Sequence, residues 1–386
     1  MSEARLTRRD FLWRGSLLAI GCTVARRAAQ ARALELDPDP AVYDRVVTAG
    51  IHYLRQTQTA EGAWSPQLEP GVTAVIVTGL LKTRRVSPSD PVAARALRYL
   101  EGFIREDGGI YPGRHAAYTT SVALMAFNEA NRDGRYDDVI RRGQQFLKRL
   151  QADEGEGYDP NNPGYGGIGY DSRRRPDLSN TQLAIEALHE TGLPKDDPAF
   201  KKALIFLSRC QNLASEYNAL PWAAKVNDGG FIYTPVRGGE SKAGRTENGG
   251  WRSYGTMTYA GLKSMIYCGV DRNDPRIQAA VQWVRHNYTT ERNPGMPPGR
   301  ELEGLYYYYQ TMAKALYAWG EDPFVDASGK EHAWRVELVE ALRKRQNSDG
   351  SWVNSSRRWY EGDPNLCTGY SLIALSFCRP RGRRTS

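Results

Sequence analysis

The segment Gln346-Asn347-Ser348-Asp349-Gly350-Ser351-Trp352 joins two stretches of helical periodicity, one carrying Trp334, Leu338 and Leu342, the other Leu366, Tyr370, Ile373 and Phe377. Asp-Gly is turn chemistry, because glycine reaches positive φ without steric cost. Weaker copies stand at Glu61-Gly62-Ala63-Trp64, Asp107-Gly108-Gly109, Gly164 to Tyr170, Asp228-Gly229-Gly230 and, most divergent, Asn293-Pro294-Gly295. With Gly62, Gly108, Gly167, Gly229, Gly295 and Gly350 as anchors, the unit recurs every 45 to 65 residues or so, the length of a helix pair with variable loops. Such a unit cannot bury its apolar face alone and must stack on its neighbours.

The two helices of each unit differ. The first is amphipathic; the second, as in Val72–Leu81 or Tyr118–Ala126, is apolar or small nearly throughout. Those are the signatures of an outer helix and of an inner one packed on all sides. Read alone, the β-branched run Val72–Leu81 suits a strand; the repeat context assigns it to a buried helix. An open stack of repeats needs polar end caps, and none is evident. The expected fold is therefore all-α, an α6/α6 toroid of six helix-turn-helix repeats over residues 34–378, followed by a basic tail at 379–386.

A net charge of +8 in 386 residues suggests a nucleic-acid partner until it is located. Residues 1–33 carry seven Arg against Glu3 and Asp10, and the tail adds Arg379, Arg381, Arg383 and Arg384. The toroid itself is left near neutral, which argues against nucleic acid. Arg8-Arg9-Asp10-Phe11-Leu12, an apolar run from Ser16 to Ala25, and Ala31-Arg32-Ala33 resemble a twin-arginine export signal. A periplasmic protein is expected, with a membrane surface left open as a partner. Cys22 lies in the leader. Cys210, Cys268, Cys367 and Cys378 are scattered without a C-x-x-C, as expected of core thiols.

The Gln346–Trp352 turn, with its echoes at Asp107-Gly108-Gly109, Asp228-Gly229-Gly230 and Gly249-Gly250-Trp251, resembles the QW repeats of squalene and oxidosqualene cyclases. The alternating helix pairs resemble the toroid that those cyclases share with protein prenyltransferase β-subunits. The resemblance spans roughly residues 42–378 and implies a central cavity that binds or transforms a hydrophobic, polyisoprenoid-like ligand. The family's catalytic residues do not follow. Where proton-initiated cyclases carry D-x-D-D-T-A, this chain has Asp177-Leu178-Ser179-Asn180-Thr181-Gln182, and a serine hydroxyl cannot protonate an alkene. The prenyltransferase zinc set also fails: no D-x-C occurs, and His52, His115, His189, His286 and His332 do not supply it. No metal and no cofactor are expected, and the resemblance implies an architecture rather than a reaction.

Inner-helix N-termini surround the mouth of a toroid's cavity, and their unpaired N–H groups favour polar ligand groups. Asp177 and Asp363 each precede an inner helix, as helix caps do; sharing the cavity, they would be a catalytic acid–base pair. Tyr118, Asn180, Tyr254, Tyr308, Gln310, Asn365 and Tyr370 are the expected ligand-binding set. Of the run Tyr306–Tyr309, at most two side chains can face the axis. The long polar loop Pro235–Arg252 has the length of a lid, and Arg173-Arg174-Arg175 is a solvated basic run. Two other functions suit the same residues: a carbohydrate-active (α/α)6 enzyme, and a non-catalytic scaffold for protein interaction. The oligomeric state is not legible.

Overall fold

The computed structural model describes residues 36–172 and 175–381. Residues 1–35, Arg173, Arg174 and residues 382–386 lie outside the described residues, and with them the stretch expected to be an export signal and most of the basic tail. Among the described residues twelve long helices form six consecutive pairs: α1 (Pro40–Thr57) and α2 (Pro70–Lys82), α3 (Pro91–Glu101) and α4 (Ala116–Ala130), α5 (Asp137–Arg149) and α6 (Leu178–Glu190), α7 (Pro198–Cys210) and α8 (Gly255–Tyr267), α9 (Pro275–Asn287) and α10 (Leu305–Trp319), and α11 (Trp334–Arg345) and α12 (Pro364–Phe377). Each even-numbered helix packs on the next even-numbered one, and α12 packs back on α2, so the inner ring is closed. Odd-numbered helices form the outer layer. The Val72–Leu81 run is helical and buried along its whole length, as the repeat required.

Local chemistry sets the outer helices. Asp39, Asp90, Asp197 and Asp274 cap α1, α3, α7 and α9 through their carboxylates, and each is followed by Pro at the first helical position. That position loses nothing by lacking an N–H.

The turns fasten one repeat to the next. Gln58, Gln151, Gln211 and Gln346 each use Nε2 to bond both the turn glycine's carbonyl and a carbonyl of the following outer helix, at 2.8–3.0 Å. Gln346 reaches Gly350 and Val46 of α1, so the last turn clamps the first helix and closes the outer layer. In the third unit the residue at positive φ is Gly166, not the expected Gly167; a Cβ there would lie 1.8 Å from the Lys202 carbonyl oxygen of α7. The divergent Gly295 turns towards the Ser253 carbonyl instead.

A second device escaped the sequence pattern. The backbone N–H groups of Trp64, Ile110, Ile168, Phe231 and Trp352 donate to the hydroxyls of Thr73, Thr120, Thr181, Thr258 and Thr368 on the inner helices, at 2.9–3.1 Å. Thr181→Val keeps the shape and removes the acceptor, leaving the Ile168 N–H buried and unpaired. The expected cost is about 1–3 kcal/mol, read as a lower denaturation midpoint, with Thr181→Ser near wild type. Equal midpoints for Val and Ser would refute it.

Candidate axial site

The inner helices present their N-termini on one face, where phenols gather around Asp177. Asp177 opens α6 as its N-cap. Oδ1 accepts from the Asn180 backbone N–H at 2.9 Å and Oδ2 from Asn180 Nδ2 at 2.8 Å. Burial pushes its carboxyl up to about 6, against the bonds from Asn180 and the neighbouring Tyr233 phenol, and against the more distant Lys242 charge. Lys242 Nζ lies 4.1 Å above the Tyr233 ring. Tyr170 stands beside Tyr233 and Asn180, and burial raises its phenol to about 12.

Across the mouth, the Tyr118 and Tyr370 phenols adjoin one another, and the Tyr307 and Tyr370 rings lie 5.6 Å apart. Tyr307 OH accepts from Gln182 Nε2 at 2.7 Å and meets Ser179 Oγ at 3.2 Å. Tyr118, Tyr170, Tyr233, Tyr307 and Tyr370 keep partial exposure although burial raises every one of their phenol pKa values. That combination marks groups lining a narrow recess.

Below the phenols the axis is nearly full. Val75, Val122, Met125, Leu183 and Ile373, with Gln310, Lys314 and the phenols Tyr118, Tyr307 and Tyr370 above them, enclose about 20 Å³, room for one water. Deeper still, Glu186 is fully buried between Lys263 and Lys314, and Lys82 pairs with Glu129 and Glu190 at 2.8 and 3.1 Å. These charges plug the far end of the ring.

The two expected catalytic carboxylates share no hydrogen-bond partner. Asp363 caps α12: its oxygens accept from Leu366 N–H at 2.9 Å and Ser65 Oγ at 2.7 Å. Asn365 donates to the same Ser65 Oγ and accepts from Thr57 Oγ1, so both residues tie the last repeat to the first turn. Tyr254, the residue before α8, is buried near Asp177 and Tyr307, and burial raises its phenol. Tyr308 does not face the axis: it is buried, donates to the Thr289 carbonyl at 2.7 Å and packs edge-on against Tyr259. Its neighbour Tyr307 faces the recess, because consecutive helical side chains diverge by about 100°. Gln310 lines the small axial cavity.

The Pro235–Arg252 loop, expected as a lid, is a tied-down shelf. Bridges pair Thr234 with Glu240 and Arg245 with Trp251, and Trp251 Nε1 donates to the Gly238 carbonyl at 2.9 Å. Arg175 pairs with Glu240 on that shelf.

Sequence reasoning missed Tyr170, Tyr233 and two carboxylates. Tyr170 and Tyr233 each lie three residues after the second glycine of a Gly-Gly turn, a shared register that could have found them. Glu69 pairs with His115 at 2.9 Å at the start of α2. Glu361 is buried beneath α10, accepting from the N–H groups of Tyr306 and Tyr307 at 3.2 and 2.8 Å; burial pushes it up to about 7. It caps a helix distant in sequence, so no local pattern announces it. Trp359 and Tyr360, just before it, both hold positive φ and are exposed at the mouth.

The fold is that of known α/α toroids. The type II terpene cyclase MstE from Scytonema aligns with TM-score 0.55 and 16% identity over 88% of this chain and 98% of that one. A variant of MstE in complex with geranylgeranyl dihydroxybenzoate aligns with TM-score 0.54 and 16% identity over 88% and 97%. An unsaturated glucuronyl hydrolase specific for heparin aligns with TM-score 0.53 and 11% identity over 88% and 97%. At these identities the likeness establishes the fold alone. No protein-family model matches the chain, and no curated protein matches it by sequence.

Proposed function

We propose that the axial recess is a general-acid site for a hydroxyl-rich, ring-bearing ligand of the carbohydrate class. The observation that carries this reading is Asp177. It is a buried carboxyl raised to about 6, set behind phenols at the recess, while the axis below holds only about 20 Å³. Tyrosines offer flat apolar faces for a sugar ring and hydroxyls for its oxygens. The Tyr233 phenol donates to the Asp177 carboxylate; once that phenol turns to a ligand hydroxyl, the protonated carboxyl faces the ligand. Sharing of this fold with a glucuronyl hydrolase is compatible with such a ligand.

A second reading, an isoprenoid chain in the axis, is favoured by the apolar walls Val75, Val122, Met125, Leu183 and Ile373 and by the fold shared with MstE. Either ligand requires the phenols to part, since about 20 Å³ admits neither a sugar ring nor an isoprenoid chain.

The test is turnover of oligosaccharides by the full-length protein across pH. Activity is expected to fall as pH rises through about 6, where Asp177 loses its proton, and Asp177→Asn to lower kcat at least about 100-fold. The linked stability term has the same sign. The folded pKa lies above the ordinary 3.8, so this group's contribution is fully present below about 4 and lost as pH rises through about 6. Turnover at the wild-type rate in Asp177→Asn would remove the acid assignment. An isoprenoid found by lipid extraction and native mass spectrometry would establish the second reading instead.

A further inference from the structure

A groove of about 490 Å³, far larger than the axial cavity, lies off the axis beside the start of α8. It runs between the fourth turn, the Pro235–Arg252 shelf and the last turns of α9. Nothing in the axial chemistry uses it. Its volume is that of a small-molecule site.

The walls are built and rigid. Asp228 accepts from Gly230 N–H at 3.0 Å, Ser253 Oγ at 2.7 Å and Trp283 Nε1 at 3.1 Å, so its charge is engaged in fixing the turn and the indole. Trp283 is 5% exposed and stands as a fixed apolar wall next to Val226.

The rim, by contrast, holds uncommitted donors. Arg252 donates only Nε, to the Arg245 carbonyl at 3.0 Å; among the described residues its terminal N–H groups have no partner. The Gln282 side-chain amide has none either. His286 sets Nδ1 against the Gln282 carbonyl at 2.8 Å, which leaves Nε2 unused. Asp228 keeps its charge but turns its oxygens to three neutral donors in the wall, and the free guanidinium on the rim, with an amide and an imidazole beside it, can hold an anionic ligand with hydroxyls.

We propose that this groove is a second ligand site and takes a carboxylated sugar. Arg252 holds the carboxylate, Gln282 and His286 bond hydroxyls, and the ring lies on the Trp283 and Val226 wall. The site makes no use of Asp177, so it stands or falls apart from the axial reading.

The experiment is titration of the full-length protein with D-galacturonate, followed by saturation-transfer NMR and calorimetry, with D-galactose as the uncharged control. Galacturonate is expected to bind saturably with a Kd of roughly millimolar order, and galactose several-fold more weakly. Arg252→Ala should weaken galacturonate by about tenfold or more, and Gln282→Ala by a smaller factor, at unchanged Tm because both side chains are exposed. Asp177→Asn should leave the Kd unchanged. No saturable binding of galacturonate, equal affinity for galactose, or an unchanged Kd in Arg252→Ala each overturns the proposal. Binding lost in Asp177→Asn but kept in Arg252→Ala also overturns it, by moving the sugar to the axial recess.

Discussion

Glu186→Gln is expected to destabilise the fold by about 3–5 kcal/mol, because it leaves two buried ammonium groups without their counter-charge. Lys263 and Glu186 are 0% exposed and Lys314 is 3% exposed. Burial alone would push the Glu186 carboxyl up; the two lysines outweigh it and hold the carboxyl charged. Burial pulls Lys263 down, and Glu186 opposes that pull. Lys263 also donates to Gln182 Oε1 at 2.6 Å, and Gln182 in turn holds Tyr307, so the damage should reach the floor of the recess.

Chemical denaturation of Glu186→Gln against wild type measures the loss. The triple replacement Glu186→Leu, Lys263→Met, Lys314→Met supplies the contrast. Removing a whole buried ion cluster in favour of apolar side chains is often neutral or stabilising, so the triple variant should recover most of what the single one loses. A single variant within about 1 kcal/mol of wild type would show that water reaches these charges.

Gly350→Ala is expected to open the seam of the ring at a cost of about 3 kcal/mol or more. Two penalties coincide there. Gly350 has φ +89, which a residue with a Cβ adopts only under strain, and the added Cβ would lie 2.3 Å from the Ala49 carbonyl oxygen of α1. The clamp formed by Gln346 holds that same contact, so turn and first helix must separate together. Gly166→Ala, with its Cβ 1.8 Å from the Lys202 carbonyl oxygen, should behave alike at an internal seam. Gly269→Ala isolates the conformational part: φ is +81, but nothing lies within 4 Å of the added atom. Its cost should be only about 1 kcal/mol. Thermal melts of the three variants decide the matter; equal losses in Gly269→Ala and Gly350→Ala would show that the seam contact contributes nothing beyond φ.

The candidate site was only partly legible. Asp177, Tyr118, Asn180 and Tyr370 were placed near the mouth because they precede or open inner helices, and the structure puts them at the phenol-lined recess. The same argument places Asp363 and Asn365 there, and the structure bonds them to Ser65 and Thr57, where the last repeat meets the first. Both carboxylates cap their helices; they differ in the second partner, the Asn180 amide for Asp177 and the Ser65 hydroxyl for Asp363. The length of Pro235–Arg252 suggests a lid, because polar, glycine-rich sequence does not show the cross-loop bonds that tie the shelf down.

What the sequence determined by itself was the number of repeats, the inner or outer character of each helix, and closure of the ring. Periodicity and turn chemistry act over a few residues, so they survive in any copy of the unit. The tertiary structure decided which tyrosine of Tyr306–Tyr309 faces the axis, that Glu361 caps α10, and that the centre of the ring is filled by phenols, apolar side chains and ion pairs. Those outcomes depend on side chains from several repeats meeting at one place, and the radius at which six helices close is set by their packing rather than by any one of them.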